Sequence, residues 1–374
     1  MTLAPPTNHR SIVDTSIDVI ASLQQSSGAY PASPDFSAYT GYSWFRDGAF
    51  IADGMSAAGQ VESANRFFDW CGEILGRYRP TIDEIVGRAG GPDPVAGEAM
   101  MPARFHFDGT IGAEEWGNFQ LDGYGTWAWA VVAHAHRHAL PLNPWADAII
   151  ASCEYLASSW NRECWDWWEE HPERIHVSTL GCVGAGLEAG LASGLLPPAL
   201  ADASAEAVRG IRKLIDERGT HDGHLVKWLD EAAVDSSTLA IIAPLGFIDP
   251  STELAARTIE AVREQLEVDG GMHRFTADTF FGGGRWPLLT CFLGLCLLER
   301  GDADGARRAL DWAAITSLPD GRLPEQVGDH LLHPEFEQFW IDKWGPVATP
   351  LLWSHAMFLR LDAALDAHSA AVHS

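Results

Sequence analysis

The chain reads as helices almost from end to end. Apolar residues recur at i, i+3 and i+4 in Ile12–Leu23, Phe50–Met55, Val61–Ile74, Tyr124–His138 and Trp145–Ser158. The same spacing predicts helices over Ser178–Ala192, Ser204–Asp216, Ser236–Ala243, Glu253–Leu266, Trp286–Arg300, Asp304–Thr316 and Pro346–Ala367. That makes about twelve helices, with no convincing run of alternating strands. Every second helix is preceded by a long connection rich in Trp, Gly or acids: Asp35–Asp47, Pro80–Asp122, Asn161–His176, Gly219–Asp235, Asp269–Arg285 and Pro319–Gly345. Most of the others are short: Ala58–Gln60, Leu140–Asn143, Gly194–Ala201, Gly246–Ser251 and Gly301–Ala303. Connections in compact domains are usually brief, so six elaborate ones ask for a functional reason. Six helical hairpins closed in a ring bring all of them to one end, at the N-termini of the inner helices. The expected fold is therefore all-α, an (α/α)6 barrel with its site at the mouth. A solenoid would need shorter repeats that resemble one another more. No Gly/Ser- or Pro-rich linker divides the chain, so residues 1–374 are expected to form a single catalytic domain.

Composition narrows the function. A formal charge of −26 leaves no basic stripe for phosphates, which disfavours nucleic acid as a partner. No stretch approaches the apolar length of a membrane span, and the leading MTLAPPTNHRSIVDTS lacks the pattern of a secretory signal. A cytoplasmic location is expected, and with it six cysteines that are buried thiols rather than disulfides, since none form a C-x-x-C pair. Tryptophan is the outlier, with sixteen residues, many in the long connections. Their faces suit sugar C–H surfaces and their edges offer a polar N–H.

The long connections also hold the acids. Hydrolysing a glycosidic bond takes one carboxylic acid to protonate the leaving oxygen. In inverting enzymes a second carboxylate activates water on the opposite face of the sugar. Apolar or anionic surroundings raise the acid's pKa. Asn161–His171 reads N-R-E-C-W-D-W-W-E-E-H, placing Asp166, Glu169 and Glu170 among Trp165, Trp167 and Trp168. Gly41–Phe50 reads G-Y-S-W-F-R-D-G-A-F. Its Arg46–Asp47 couple is either an ordinary helix start, with Asp47 as the cap, or a sugar clamp flanked by Tyr42 and Trp44.

In order along the chain come W-x-R-D at Trp44–Asp47, W-G-N-F-Q-L-D-G at Trp116–Gly123 and D-W-W-E-E at Asp166–Glu170. Then follow R-F-T-A-D-T-F-F-G-G at Arg274–Gly283, L-P-E-Q at Leu323–Gln326 and P-L-L-W-S-H-A at Pro350–Ala356. Each is weak alone, but six in this order resemble glycoside hydrolase family 15, the glucoamylase and glucodextranase type, over roughly residues 40 to 360. The resemblance implies an (α/α)6 barrel and an inverting, exo-acting α-glucosidase that releases β-glucose and needs no metal or organic cofactor. It implies Glu169 as general acid, with Asp166 and Glu170 as neighbours, and Arg46 and Asp47 as the couple holding the terminal glucose. Trp116, Gln120, Asp122, Trp168, Arg274 and Trp286 join Tyr42 and Trp44 as expected substrate contacts. The general base is Glu325 in L-P-E-Q or Glu337 in F-E-Q-F, which stands nearer to Trp353, with Glu335 close by. One departure stands out: the Tyr the family places four positions before the Trp of W-x-R-D is Thr40 here, with Tyr39 beside it. Either the loop is shifted by one residue or the aromatic support differs.

The chain is expected to lack the extra β-sandwich of many bacterial members and any starch-binding module. Its compact form resembles the bacterial isomaltose glucohydrolases, which implies short α-1,6-linked oligosaccharides as substrates. The alternatives are an α-1,4-specific glucoamylase, a trehalase of the same fold, or an inactive sugar-binding barrel. Two other features invite chemistry. His134 and His138 have metal-ligand spacing, but at a helix end without an acid they read as dipole partners or exposed residues. Gly282–Gly284 lacks the G-K-[ST] of a phosphate loop and reads as backbone bending near a sugar.

Overall fold

The computed structural model describes residues 9–373; part of the leading segment inspected for a targeting signal, residues 1–8, lies outside them. In chain order the helices are α1 His9–Leu23, α2 Phe45–Ala57, α3 Val61–Arg77, α4 Arg79–Arg88, α5 Asp122–Arg137, α6 Ala146–Ser159 and α7 Val177–Ala192. They continue as α8 Pro198–Arg218, α9 Thr238–Ile242, α10 Glu253–Leu266, α11 Pro287–Glu299, α12 Ala303–Ile315, α13 Glu337–Trp344 and α14 Leu352–His373. Helices α2, α5, α7, α9, α11 and α14 pack each on the next, and α14 returns to α2. An outer layer covers this ring: α3 on α2, α6 on α5, α8 on α7, α10 on α9, α12 on α11, and α1 on α14. The fold is an (α/α)6 barrel, closed by the first helix covering the last.

Side-chain chemistry sorts the two layers. Every residue of α11 from Pro287 to Leu297 is buried, as is every residue of α7 from Val177 to Leu187. A helix apolar on all sides belongs in the interior. Outer α3 instead buries a stripe, Ala64, Phe67, Phe68, Cys71, Ile74 and Leu75, and turns its polar face outward. Close packing of the ring depends on missing side chains. A Cβ on Gly125 of α5 would stand 2.2 Å from the Cys182 carbonyl oxygen of α7, and one on Gly54 of α2 would stand 2.4 Å from that of Ala356 in α14. One contiguous apolar core runs from Ile12 to Leu365, and all six cysteines lie buried as free thiols. Among the described residues no helix is long and apolar enough to cross a membrane.

All twelve expected helices are present, and their ends differ for physical reasons. Helix α2 starts at Phe45 rather than Phe50, so Arg46 and Asp47 lie inside its first turn and the N-cap is Trp44, not Asp47. Helix α14 starts at Leu352 rather than Pro346, because Pro346 and Pro350 lack the donor and disfavour helix in the residue before them. Two helices lie in segments read as loops. Helix α4 buries only Ile82 and Ile85, and α13 buries nothing, so neither has an apolar stripe for periodicity to find. Three two-stranded ribbons also form in the long connections: β1 Tyr42–Trp44 with β2 Arg104–His106, β3 Thr220–His221 with β4 His224–Leu225, and β5 Glu267–Val268 with β6 Gly271–Met272. The first pairs Trp44 with Arg104 and delivers Trp44 to the start of α2.

Candidate active site

A pocket of about 310 Å³ opens where the inner helices begin, and residues from the long connections line it. Nine of the sixteen tryptophans form its walls: Trp44, Trp116, Trp165, Trp167, Trp168, Trp286, Trp340, Trp344 and Trp353. Arg46, Asp47, Glu169, Glu170, Arg274 and Glu325 supply the charge. A concave, mostly aromatic cavity with a few convergent polar groups is the usual form of a small-molecule site.

Glu169 sits in a tight loop with the left-handed backbone angle φ +64. Its Oε1 accepts from Trp44 Nε1 at 2.8 Å and from Gln120 Nε2 at 3.1 Å. Gln120 is oriented in turn, because its own oxygen accepts from Arg46 Nη1 at 2.6 Å. Arg46 also donates to Asp122 at 3.0 Å, and its guanidinium lies 5.8 Å from the Trp353 ring centre. Arg46 Nε and Asp47 Oδ2 come within 3.3 Å, yet neither has a hydrogen-bond partner although both are buried. Burial pushes the Asp47 carboxyl up to about 6 against the pull of Arg46.

Glu325 reaches the pocket from the loop ahead of α14, held by its N–H donating to the Ala348 oxygen at 2.9 Å. Its Oε1 accepts from Tyr39 Oη at 2.8 Å, and its Oε2 is buried without a partner. Burial pushes this carboxyl up to about 8, with the Tyr39 hydrogen bond and Arg274 opposing. The rings of Tyr39 and Trp44 meet edge to face at 5.6 Å. A chain of contacts therefore runs Glu325–Tyr39–Trp44–Glu169. Tyr39, beside the Thr40 where the family's Tyr was expected, is the aromatic that enters the pocket, which agrees with a loop shifted by one residue.

The remaining expected residues divide in two. Trp44, Trp116, Trp168, Glu170, Arg274 and Trp286 line the pocket. Arg274 forms a forked pair with Asp278 and lies 4.9 Å from the Trp168 ring centre, with Glu170 3.7 Å away. Burial raises Glu170 above its ordinary value, with Arg274 opposing. Tyr42, Gln120, Asp122 and Asp166 stand behind the wall instead. Tyr42 donates to Glu114 and stacks on His106 at 4.3 Å, while Gln120 and Asp122 are fully buried against Arg46. Asp166 binds the backbone N–H groups of Trp168 and Glu170 at 2.9 Å each. Glu337, at the start of α13, does not line the pocket, and Glu335 is exposed beside it.

Two other expectations change. His134 is not exposed: it is buried between Ser56 Oγ at 2.7 Å and Asn65 Oδ1 at 2.9 Å, and burial pushes it down to about 4. The Gly282–Gly284 bend does not line the pocket. Gly284 N–H donates to Gln326 Oε1 at 2.7 Å, which braces the loop bearing Glu325. Sequence reasoning missed Lys227 and Asp235 beneath the pocket and Trp340, Lys343 and Trp344 of α13 on its wall. All five lie in segments that the sequence reads as connections; the signals there were the tryptophan enrichment and the fact that Lys227 and Lys343 are two of just three lysines in the chain.

The sequence matches the profile of Glycosyl hydrolases family 15 over residues 7–293. The chain belongs to glycoside hydrolase family 15. The match includes Glu169 but stops short of Glu325. An isomaltose glucohydrolase of Kribbella flavida is 48% identical over 344 residues, spanning 92% of this chain and 89% of that protein. A glycosidase variant solved in complex with glucose superposes with a TM-score of 0.93 at 47% identity, covering 96% of this chain and 97% of the other. A bacterial glucoamylase complexed with acarbose shares the fold at a TM-score of 0.72 and 19% identity, covering 96% of this chain and 55% of its own. This family 15 member is an inverting glycoside hydrolase of the glucoamylase-like kind.

Proposed function

We propose that the enzyme removes single glucose units from the non-reducing end of short α-glucans, with α-1,6-linked isomaltose and isomaltooligosaccharides preferred, and releases β-glucose. The observation that carries this reading is one aromatic pocket holding Glu169 and Glu325, joined through Trp44 and Tyr39, beside an Arg46–Asp47 ion pair whose facing atoms make no hydrogen bond. The 48% identity to an isomaltose glucohydrolase supports the choice of linkage.

Each role follows from a donor or acceptor left over. Arg46 Nε and Asp47 Oδ2 face each other as an ion pair yet make no hydrogen bond, so they suit the hydroxyls of a terminal glucose, one donating and one accepting. Glu169 Oε1 already accepts two N–H groups, which leaves the acid proton on Oε2. From there it passes to the glycosidic oxygen as the C1–O bond breaks. Glu325 Oε2 accepts a proton from water, and that water's oxygen forms the new bond to C1 from the opposite face. One displacement converts the α-linkage into β-glucose, and no step requires a metal or organic cofactor.

The test is a panel of isomaltose, maltose, trehalose, panose and dextran, with the anomer of released glucose followed by NMR. Isomaltose should give the highest kcat/KM, with β-glucose as first product. Higher kcat/KM on maltose or trehalose would overturn the linkage, and initial α-glucose would overturn the single displacement.

A further inference from the structure

Beneath the pocket floor lies a buried charge cluster with no surface to touch substrate. Lys227 Nζ stands 2.9 Å from Asp166 Oδ2 and 2.6 Å from Asp235 Oδ2, all three residues being at most 3% exposed. The Phe275 ring covers the ammonium, its centre 3.8 Å away. Both carboxylates face upward into the loop that bears Glu169. Asp166 Oδ1 accepts the backbone N–H of Trp168 and of Glu170, the residues on either side of Glu169, at 2.9 Å. Its carbonyl oxygen accepts the N–H of Glu169 itself at 3.0 Å. Asp235 accepts from Trp168 Nε1 at 2.9 Å and from the Ser237 N–H, which fixes it at the start of α9.

The loop needs such support. Glu169 holds φ +64, a conformation that is unfavourable for a residue with a side chain and persists only where the surroundings impose it. Asp166 braces the loop backbone directly and Asp235 adds to it through Trp168, and two carboxylates buried side by side need a cation between them. Lys227 is that cation.

We propose that Lys227 is a positioning residue for the general acid: by bridging Asp166 and Asp235 it offsets their mutual repulsion, and so holds Trp168 and the Glu169 loop in the geometry that delivers the proton. This rests on Glu169 being the acid. Lys227 touches neither substrate nor Glu169, so its loss should act on proton delivery and leave glucose binding to Arg46 and Asp47 intact.

The experiment compares isomaltose with α-glucosyl fluoride, whose leaving group departs with little help from a proton donor. Lys227→Met, Lys227→Met/Asp235→Asn and Glu169→Gln are measured beside the parent enzyme. For Lys227→Met, kcat on isomaltose should fall about 100-fold, within what a positioned acid supplies, with about a fivefold fall or less on the fluoride and little change in KM. The double variant removes the surplus carboxylate while its new amide retains an acceptor for Trp168, so it should recover about tenfold of the loss. If Lys227→Met does not accumulate as folded protein, the same ratio is read on the double variant. Equal losses on both substrates, or a loss confined to KM, would overturn the proposal while Glu169→Gln still shows the selective loss. Equal losses in Glu169→Gln would instead overturn the assignment of the acid.

Discussion

At the scale of single residues, the two carboxylates differ in how firmly their surroundings define them. Glu169 has two N–H donors on one oxygen, so Glu169→Gln leaves both available for an amide oxygen and should keep the fold. Its kcat on isomaltose is expected to drop about 10²- to 10⁴-fold, the usual contribution of a positioned acid, read by steady-state assay with circular dichroism as the fold control. Glu325 governs the pH response. A base must be ionised to act, and burial holds this one up to about 8. The kcat/KM profile should therefore fall on the acid side through a pKa well above that of an ordinary carboxylate. Tyr39→Phe removes the donor to Oε1, so that limb should move to higher pH still, with about a tenfold or greater loss in kcat/KM near neutrality. An acid limb left unmoved would show that Tyr39 does not tune Glu325. Glu169 was legible in the sequence because three acids stood among three tryptophans. Tyr39, Lys227 and Asp235 were not, because the contacts that tie them to the site, with Glu325, Asp166 and Trp168, span 286, 61 and 67 residues and no local pattern announces such a pairing. The choice between Glu325 and Glu337 was open for the same reason, since proximity to Trp353 along the chain says nothing of which side chain enters the pocket.

At the scale of elements, the inner ring owes its closeness to glycines that intrinsic propensity would remove. Replacing a helical Gly by Ala should gain about 1 kcal/mol from propensity alone. At Gly125 the added Cβ would stand 2.2 Å from the Cys182 carbonyl oxygen and force α5 away from α7 along their packed length. Overpacking of this kind costs about 1–3 kcal/mol, so Gly125→Ala should lower the urea midpoint despite the gain in propensity. Gly76, on outer helix α3, meets nothing within 4 Å and serves as the control: Gly76→Ala should be neutral or stabilising. A Gly125→Ala variant as stable as the Gly76→Ala control would refute the close-packing account. The twelve barrel helices were legible because each buries a face and so repeats its apolar residues with helical period. Helices α4 and α13 were not, since they bury little and exist through long-range contacts such as Trp340 against Phe280, ring centres 5.1 Å apart; the three ribbons were not, since strands of two or three residues are too short to show an alternating pattern.

At the scale of the whole molecule, barrel closure depends on a neutral histidine. His355 in α14 accepts the Leu323 N–H on Nε2 at 3.0 Å, so its proton lies on Nδ1 and is donated to Ser16 Oγ of α1 at 2.8 Å. One ring thus joins the first helix, the last helix and the strip of chain that ends at Glu325. Burial pushes His355 down to about 3, from 6.5 in a free histidine. Below pH about 6.5 the unfolded chain binds a proton that the folded chain refuses, so stability falls as pH falls, by about 1.4 kcal/mol per unit, until roughly pH 3. His134 adds a second contribution of the same sign down to about 4. Glu325 works in the opposite direction: its raised value favours the folded state at low pH, and that stabilisation is lost as pH rises from about 4.5 towards 8. The net curve mixes these effects, so the informative quantity is a difference. His355→Gln, whose amide cannot take up a proton, should be less stable at pH 7, yet its urea-derived stability should fall less steeply than the parent's between pH 6 and 4. The two slopes should differ by about one proton's worth, or 1.4 kcal/mol per unit. Parallel curves would mean that His355 is protonated in the folded barrel, and acid sensitivity would then have to arise from groups outside the closure.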